Sequence, residues 1–355
     1  MPLRAFYRIV RPFFMRLSFL CLSFVLGMTA CAALANTPQA SHYKYFRIGS
    51  QADISTATQP GFALMGGGTD LDEAFRWMCQ RAGGGDFLVL RATGDDDYNP
   101  YVQPLCKLNS VATLILPDRQ AANDPFVAET IAHAEAIFIA GGDQANYIRY
   151  WKDTPVQAGI NAAIKRGVPI GGTSAGLAVL GEWAYSAEGD KPDDPNLDAK
   201  TALANPMGPR VTLVHGFLDI PVMKGVITDS HFAKRDRMGR LLVFLFRLNE
   251  PDGKEVPPPS FSIRGVGIEE RAAVLLEPNG DAHVVGAGGA YFVEQVGAAF
   301  VQKKTDPLTG LKVAVRKVKA GGKFNLKQWN GDAVSYELAI HGRGVVSSQA
   351  GGSQY

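Results

Sequence analysis

The chain lacks an excess of charge of either sign. Its 355 residues carry 36 lysines and arginines against 34 aspartates and glutamates, a formal net charge of +2. Four of the arginines and none of the acids lie in residues 1–31, so the chain without that stretch has a charge of −2. A near-neutral surface has no electrostatic footprint for nucleic acid or for an anionic membrane, and neither is expected as a partner.

Cysteine is also scarce, at four residues. Cys21 and Cys31 belong to the N-terminal segment, which leaves Cys79 and Cys106. In an oxidising compartment these two cysteines can form a disulfide. The sequence does not give the distance between them, so two buried free thiols agree with the sequence equally well. Neither has a histidine at the spacing of a metal site, so no zinc, other metal or organic cofactor is expected.

Only one hydrophobic run is long enough to concern a membrane. Four arginines precede residues 17–30, and this run is too short for a stable span, which is the layout of a secretory signal peptide. Residues 1–35 are therefore predicted to be removed at the Ala-Leu-Ala sequence of residues 33–35. The alternative is a lipobox at residues 28–31, which would leave a lipid anchor on Cys31. Either route predicts an exported protein, periplasmic or secreted, without a second membrane span.

The rest of the chain alternates short apolar runs with amphipathic segments, without a linker or an internal repeat. This alternation predicts βαβ units around a parallel sheet. Strands are expected at residues 62–65, 87–90, 111–116, 136–140 and 168–170. Helices are expected at residues 71–81, 125–134 and 146–166, the last with a break near Pro155. In the C-terminal third, turn-bounded runs at 272–276, 283–285 and 291–296 predict antiparallel strands. Residues 43–345 are predicted to form a single α/β domain.

Residues 172–176, Gly-Thr-Ser-Ala-Gly, follow an apolar run and precede a helical pattern. In such a strand–turn–helix context, a G-x-S-x-G motif places a nucleophilic serine. Its small neighbours leave room for a sharp turn that lifts the Ser174 hydroxyl off the sheet. The N–H of Ala175, where the next helix begins, is placed to stabilise an oxyanion. The motif alone also fits a glycine-rich turn with an incidental serine, but the flanking pattern favours the nucleophile.

A second glycine turn ends the strand expected at residues 136–140. Residues 141–144, Gly-Gly-Asp-Gln, lie beyond the C-terminal end of that strand, where ligands bind in an open α/β sheet. Gly142 offers a second oxyanion N–H, and Gln144 offers a neutral hydrogen-bonding arm for a substrate. Residues 65–68, Met-Gly-Gly-Gly, end an earlier strand in the same way.

A serine hydroxyl needs a base, and histidine is the usual one. His231 is the candidate because it comes just after a strand-like run at residues 226–228, at the edge expected for Ser174. Arg235, Arg237 and Arg240 follow at spacings that put some of them on one helix face. Such a face would bind a substrate carboxylate; the alternative is a solvated basic helix.

The imidazole in turn needs an acceptor. Residues 265–270, Gly-Val-Gly-Ile-Glu-Glu, place two adjacent acids after another short strand. Consecutive strand residues face opposite sides, so only one of Glu269 and Glu270 is expected to reach His231.

Taken in order, five signatures resemble the cyanophycinase-like serine peptidases, the family that also contains dipeptidase E. They are residues 65–68, residues 141–144, residues 172–176, Asp-Ser-His-Phe at 229–232 with its arginines and Gly-Arg-Leu at 239–241, and Gly-Ile-Glu-Glu at 267–270. The signatures span residues 62–277, the predicted catalytic core. Two positions differ from the family's pattern: Glu269 stands where Asp is frequent, and Ser230 where cyanophycinases carry Gln.

The resemblance implies a flavodoxin-like, class I glutamine amidotransferase-like domain with a largely parallel sheet flanked by helices. It implies a triad of Ser174 as nucleophile, His231 as base and Glu270 as orienting acid, and hydrolysis of aspartyl peptide bonds. The implied substrates are cyanophycin-like polymer and β-aspartyl or short aspartyl peptides. The expected oxyanion and substrate-binding residues are Gly142, Ala175, Gln144, Asp229, Arg237 and Arg240.

Two other functions remain open from the sequence, an esterase and a binding protein, and a third, a glutaminase, is excluded. An α/β-hydrolase esterase shares G-x-S-x-G, but its triad order of Ser, acid and His would need His283 or His341 as base. A class I glutaminase would need a cysteine in place of Ser174. An exported binding protein on the same fold would not use the serine for catalysis. The oligomeric state, monomer or homodimer, is also left open.

Overall fold

The structure of the protein is a computed structural model that describes residues 41–191, 193–194, 196–249, 262–296, 306–341 and 344–355. Residues Ser41–Tyr355 form one compact unit. The predicted signal peptide and Cys31 lie outside the described residues, and the predicted domain bounds stay a prediction. Within the described ranges, no helix combines the length and the apolar character that crossing a membrane requires.

The strands are short, mostly three to eight residues. In chain order they are β1 (Lys44–Gly49), β2 (Phe62–Met65), β3 (Asp86–Arg91), β4 (Ser110–Ile115), β5 (Ala136–Ile139), β6 (Ile170–Thr173), β7 (Trp183–Tyr185), β8 (Leu213–His215), β9 (Val226–Asp229), β10 (Arg264–Ile268), β11 (Ala272–Leu276), β12 (Asp281–Gly286), β13 (Gly289–Gln295), β14 (Lys312–Lys319), β15 (Lys323–Asn325), β16 (Asn330–Gly331), β17 (Val334–His341) and β18 (Gly344–Ser347).

The helices connect mainly the N-terminal strands. They are α1 (Asp72–Arg81), α2 (Tyr98–Val102), α3 (Arg119–Ala122), α4 (Pro125–Ala132), α5 (Gln144–Trp151), α6 (Pro155–Arg166), α7 (Ala175–Ala178), α8 (Ala199–Ala204) and α9 (Met238–Asn249). Short 3₁₀ turns occur at Gln103–Leu105, Pro221–Met223 and Ala350–Gly352. Helix α6 shows how the sequence sets such bounds: Pro155 opens it, and Gly167, with φ of +84°, ends it.

Two large sheets form the fold. The first has the strand order β1-β4-β3-β5-β6-β2-β11-β12-β15-β16, and the second β18-β17-β14-β13-β10-β9-β7-β8. In the first sheet β4, β3, β5, β6 and β2 run parallel, and the pairs on either side of them are antiparallel. In the second sheet β9 is parallel to β7 and β10, and the other pairs are antiparallel.

The expected α/β class and the antiparallel C-terminal part are present, but the sheets are mixed rather than largely parallel. A flavodoxin-like sheet has the strand order 2-1-3-4-5. Strands β4, β3, β5 and β6 follow its first four positions, whereas β2, which precedes them in the chain, takes the fifth. The flavodoxin-like name therefore stays a prediction.

The core is split by the first sheet. Along β3, Leu88 and Leu90 belong to one buried apolar cluster, and Phe87 and Val89 belong to another. Alternate residues of a strand point to opposite faces, so the two clusters lie on the two sides of the sheet. A third cluster packs helix α9 against the second sheet. Strands buried on both faces read as continuous apolar runs, which is why β2 to β5 were readable from the sequence.

Strand β6 is the element whose predicted bounds were wrong. The apolar run at 168–170 was expected to be the strand, but the strand extends from Ile170 through two glycines to Thr173. A Cβ on Gly171 would lie 2.5 Å from Sδ of Met78, because helix α1 packs directly on this strand. Glycine is disfavoured in strands, so only the tertiary packing explains its presence here.

The two cysteines of the described chain form a disulfide. Cys79 in α1 pairs with Cys106, which follows α2, with their Cα atoms 6.1 Å apart. This answers the question that the sequence left open. Such bonds persist mainly in oxidising compartments.

Candidate active site

The turn that carries the predicted nucleophile, Ser174, joins β6 to α7. Ser174 has φ of +53° and ψ of −111°, a backbone conformation that side-chain-bearing residues rarely adopt. A Cβ on Gly176 would lie 2.0 Å from the carbonyl oxygen of Ile139, and one on Gly172 would lie 2.7 Å from the backbone of Gly176. The two glycines are therefore required by close packing of the turn. Ser174 is partly exposed while the residues on either side are buried.

The structure brings the three predicted catalytic side chains together. Oγ of Ser174 lies 2.8 Å from Nε2 of His231, and Nδ1 of His231 lies 2.7 Å from Oε1 of Glu270. His231 follows β9 and Glu270 follows β10, two parallel neighbours in the second sheet. The site thus forms where strand ends of both sheets meet. His283 and His341, which an α/β-hydrolase arrangement would need, lie on β12 and β17.

The glycine turn after β2 supports Ser174, His231 and Arg271, the residue after Glu270. The carbonyl oxygen of Met65 accepts the N–H of Ser174 at 3.2 Å. The next two carbonyl oxygens, of Gly66 and Gly67, accept the N–H groups of His231 at 2.7 Å and Arg271 at 2.9 Å. A Cβ on Gly67 would lie 2.6 Å from the His231 ring. The sequence showed this Met-Gly-Gly-Gly turn at a strand end, but the role of its carbonyls depends on three distant segments and was missed.

Glu269 and Glu270 are separated as expected, for a different reason. Both lie after the end of β10, in the turn to β11 rather than in the strand. Glu269 accepts hydrogen bonds from the hydroxyl of Tyr291 at 2.5 Å and from the N–H of Gly289 at 2.8 Å. Its carboxylate is therefore bound to β13, and Glu270 is the acid that faces His231.

The electrostatics keep the imidazole neutral and the acid ionised. Burial lowers the pKa of His231, and the positive charges of Arg235 and Arg237 add to this effect, while the bond to Glu270 opposes it. The hydrogen bond from His231 in turn lowers the pKa of the Glu270 carboxyl. An ionised acceptor fixes the proton on Nδ1, so the lone pair of Nε2 faces the Ser174 hydroxyl.

Two of the residues expected to bind substrate, Asp229 and Arg240, are buried against each other, although Arg240 also lines the cleft beside Ser174. Asp229 and Arg240 are each 2% exposed. Oδ2 of Asp229 accepts from Nε of Arg240 at 2.7 Å and Oδ1 from Nη2 at 2.5 Å, a bidentate ion pair. The spacing of the three arginines was expected to put some of them on one helix face, but α9 begins at Met238 and of the three only Arg240 lies on it. The pair anchors the end of β9 just before His231.

Arg237 occupies the boundary between this ion pair and the site. It donates to the carbonyl oxygen of Ser230 at 3.0 Å and to Oδ1 of Asn196 at 3.2 Å, and lies 3.5 Å from Asp229. Burial and the neighbouring Arg240 lower its pKa to about 9, so it is charged at neutral pH. Arg237 and Arg240 thus share the carboxylate of Asp229. These three side chains, called the arginine wall here, carry a net positive charge.

A cleft of about 500 Å³ extends from Ser174 along the arginine wall. Gly142, Ala175 and Gln144, predicted from the sequence, line it together with Ser230 and Arg237. The turn before α5 is held by Tyr147, whose hydroxyl donates to the carbonyl oxygens of Ala140 at 2.8 Å and Gly141 at 3.0 Å. Two backbone segments that could offer N–H groups to an oxyanion therefore flank the serine.

Comparison with known proteins agrees with the resemblance seen in the sequence. The model of Peptidase family S51 matches residues 95–204, which include Ser174 and end before His231. The cyanophycinase of Geminocystis herdmanii is 28% identical over 215 residues, 59% of this chain and 69% of that protein. The cyanophycinase of Thermosynechococcus vestitus is 25% identical over 263 residues, 70% of this chain and 73% of that protein.

A solved peptidase from an acI-B1 Actinobacterium aligns with a TM-score of 0.48 and 18% identity, covering 76% of this chain and 98% of that chain. The sequence matches place the protein among the serine-type peptidases. Within that class, the matches show a chain similar to the cyanophycinase-like peptidases of family S51.

Proposed function

We propose that this protein is an exported serine peptidase that hydrolyses aspartyl peptide bonds through an acyl-enzyme on Ser174. The observation that carries the proposal is the pair of short contacts from Ser174 to His231 and from His231 to Glu270, 2.8 and 2.7 Å. A serine with a base in hydrogen-bond reach, and a base oriented by an acid, is the arrangement that serine peptidases use on unrelated folds.

The reaction begins when His231 Nε2 takes the proton of Ser174 as its oxygen attacks the peptide carbonyl. Glu270 stabilises the imidazolium that forms. The N–H groups of Ala175 and Gly142 hold the oxyanion of the tetrahedral intermediate. The imidazolium then gives its proton to the leaving amine, and a water molecule, activated by the same base, releases the acyl group from the serine.

The substrate proposal rests on charge. Arg237 lines the cleft. Positive charge exceeds negative charge around it, because the Asp229 carboxylate already forms a bidentate pair with Arg240. A planar guanidinium suits a substrate carboxylate, such as that of an aspartyl residue. The relatives named above are cyanophycinases, so the substrates we propose are a cyanophycin-like polymer and β-aspartyl or short aspartyl peptides.

The first prediction compares aspartyl peptides with their asparaginyl counterparts. The protein should hydrolyse the aspartyl peptides with the higher kcat/KM, and Arg237→Gln should reduce that preference by about tenfold or more, mainly through KM. Arg149→Gln, an exposed arginine on the same cleft, is the matched control and should leave the preference nearly intact. Equal kcat/KM for the two peptide series in the unmodified protein would contradict the substrate proposal.

Export is part of the proposal. The N-terminal sequence has the layout of a signal peptide, and the disulfide between Cys79 and Cys106 suits an oxidising compartment. We also propose that the parallel strands of the first sheet are a flavodoxin-like core; a homodimer stays a prediction.

The second prediction concerns the mature N-terminus. The intact mass of protein recovered from outside the cytoplasm should correspond to a chain that begins at Asn36, or at Cys31 with a lipid attached. Replacing Cys31 by Ala separates the two routes, because it should abolish membrane attachment only in the lipoprotein. A mass that includes residues 1–30 would rule out both.

A further inference from the structure

The segment that carries the base is a strained turn. Residues 231–237, called the base turn here, contain His231 and Asp236, and both have φ of +47° without being glycine. Such conformations cost free energy and persist only where the surrounding structure fixes them. The His231 end is fixed by the hydrogen bond from its N–H to Gly66 and by that from Phe232 to Ile268, at 2.7 and 3.1 Å.

The Asp236 end is fixed by a residue more than a hundred positions away. The Tyr355 hydroxyl donates to Oδ1 of Asp236 at 2.8 Å and accepts the N–H of Met238 at 2.9 Å. Its ring packs edge-on against Phe232 and Tyr291, with centroids 5.9 and 5.8 Å apart. Tyr355 therefore contacts the base turn at its start and end, and also Tyr291, which binds Glu269.

Tyr355 is itself held in place. The hydroxyl of Tyr336 on β17 donates to the carbonyl oxygen of Gln354 at 2.7 Å, and Ser353 Oγ donates to the carbonyl oxygen of Tyr355 at 2.8 Å. The second sheet thus supplies the rigid support through which the tyrosine acts on the turn.

We infer that Tyr355 is a positioning residue for the peptidase: it locks the Asp236 end of the base turn and so holds His231, Arg235 and Arg237 in their working places. The inference rests on the proposed function, since it assigns Tyr355 an effect on the base of that reaction. Tyr355 touches neither Ser174 nor the cleft, so its effect passes through the turn alone.

The pH dependence of Ser174 reactivity reports on this effect. The charged or titratable groups that act on His231 are Glu270 from the turn after β10 and Arg235 and Arg237 from the base turn itself. Lys234, on the same turn, acts on Glu270. If the turn relaxes, the two arginines move away from the imidazole, and its pKa rises. As the pH is lowered, the imidazole then becomes protonated at a higher pH. The acid limb of the profile, where reactivity with Ser174 falls because the base is protonated, therefore shifts to higher pH.

The third prediction is tested by labelling Ser174 with a fluorophosphonate across pH. Tyr355→Phe, which keeps the ring and loses both hydrogen bonds, should slow labelling by about tenfold at neutral pH and move the acid limb upward. Asp236→Asn should act in the same direction from the other side of the contact. The double variant should be no worse than the stronger single variant, because both remove one interaction.

Two controls frame the result. Arg235→Gln keeps the tyrosine contact and should move the acid limb upward by removing a cation beside His231. Tyr101→Phe removes a matched phenol, which donates to Asp72 at 2.8 Å away from the base turn, and should change neither rate nor limb. Thermal unfolding of each variant reports any loss of stability separately.

The inference is overturned if Tyr355→Phe labels at the unmodified rate, or if the rate falls while the acid limb stays fixed and the double variant is additive. A lower rate with a fixed acid limb and an additive double variant would mean that the tyrosine contributes only to stability. Absence of labelling in the unmodified protein would instead overturn the proposed function.

Discussion

Ser174→Ala is expected to abolish peptide hydrolysis while leaving the fold intact. The substitution removes one oxygen from a partly exposed turn, so the packing of Gly172 and Gly176 is unchanged. In a covalent mechanism the loss of the nucleophile lowers kcat by about 10⁴–10⁶-fold. The measurement is turnover of an aspartyl peptide, with thermal unfolding and the intact disulfide as checks of the fold.

A second serine in the same cleft provides the control. Ser230 precedes His231 in the chain, but its Oγ accepts a hydrogen bond from Nη1 of Arg237 at 3.2 Å, whereas the imidazole bonds to Ser174 and Glu270. Ser230→Ala should therefore retain turnover within about tenfold of the unmodified protein, the scale of one lost hydrogen bond. Residual activity above one part in about a hundred in the Ser174 variant is incompatible with an acyl-enzyme.

Glu270→Gln should have the second largest effect, about 10⁴-fold in kcat with little change in KM. The neutral amide can present its N–H to the imidazole, which favours the wrong tautomer and leaves the imidazolium without a negative partner. Steady-state kinetics on one aspartyl peptide separate the two constants.

Glu269→Gln is the matched variant one residue earlier. Its carboxylate accepts from Tyr291 and Gly289 rather than from His231, so the variant should lower stability and change kcat far less. If Glu269→Gln had the larger effect on kcat, the assignment of the orienting acid would have to be reversed.

The fold was readable where burial leaves a pattern in the sequence. Strands β2 to β5 each contain a largely apolar run because both faces are covered, and α6 is marked by a proline at its start and a glycine at its end. Strand β6 was misplaced because Gly171 is required by Met78 of a helix far away in the chain and Gly172 by the backbone of Gly176 in the next turn. The sheet order was not readable, because strand pairing joins segments without a local signal.

The same division holds in the site. The G-x-S-x-G motif marks Ser174 because its sharp turn demands small neighbours that lie beside it in the sequence. The opposite case is the arginine series: its spacing suggested one helix face, but the base turn places Arg235 and Arg237 before α9, and Arg240 is buried on Asp229. Which of these arginines lies on a helix depended on where the helix begins, and all three line the cleft.

By itself, then, the sequence determined the features whose requirements are local, namely the sharp turn at Ser174, the histidine after a strand and the adjacent acids. The position in the family motif already implied Glu270 as the acid facing His231. Tertiary structure alone decided that the Glu269 carboxylate binds β13, that the carbonyls of residues 65–67 support three distant segments, and that Tyr355 reaches the base turn. The physical reason is that a turn is set by the sterics of neighbouring residues, whereas a hydrogen bond between distant segments exists only once the sheets have brought them together.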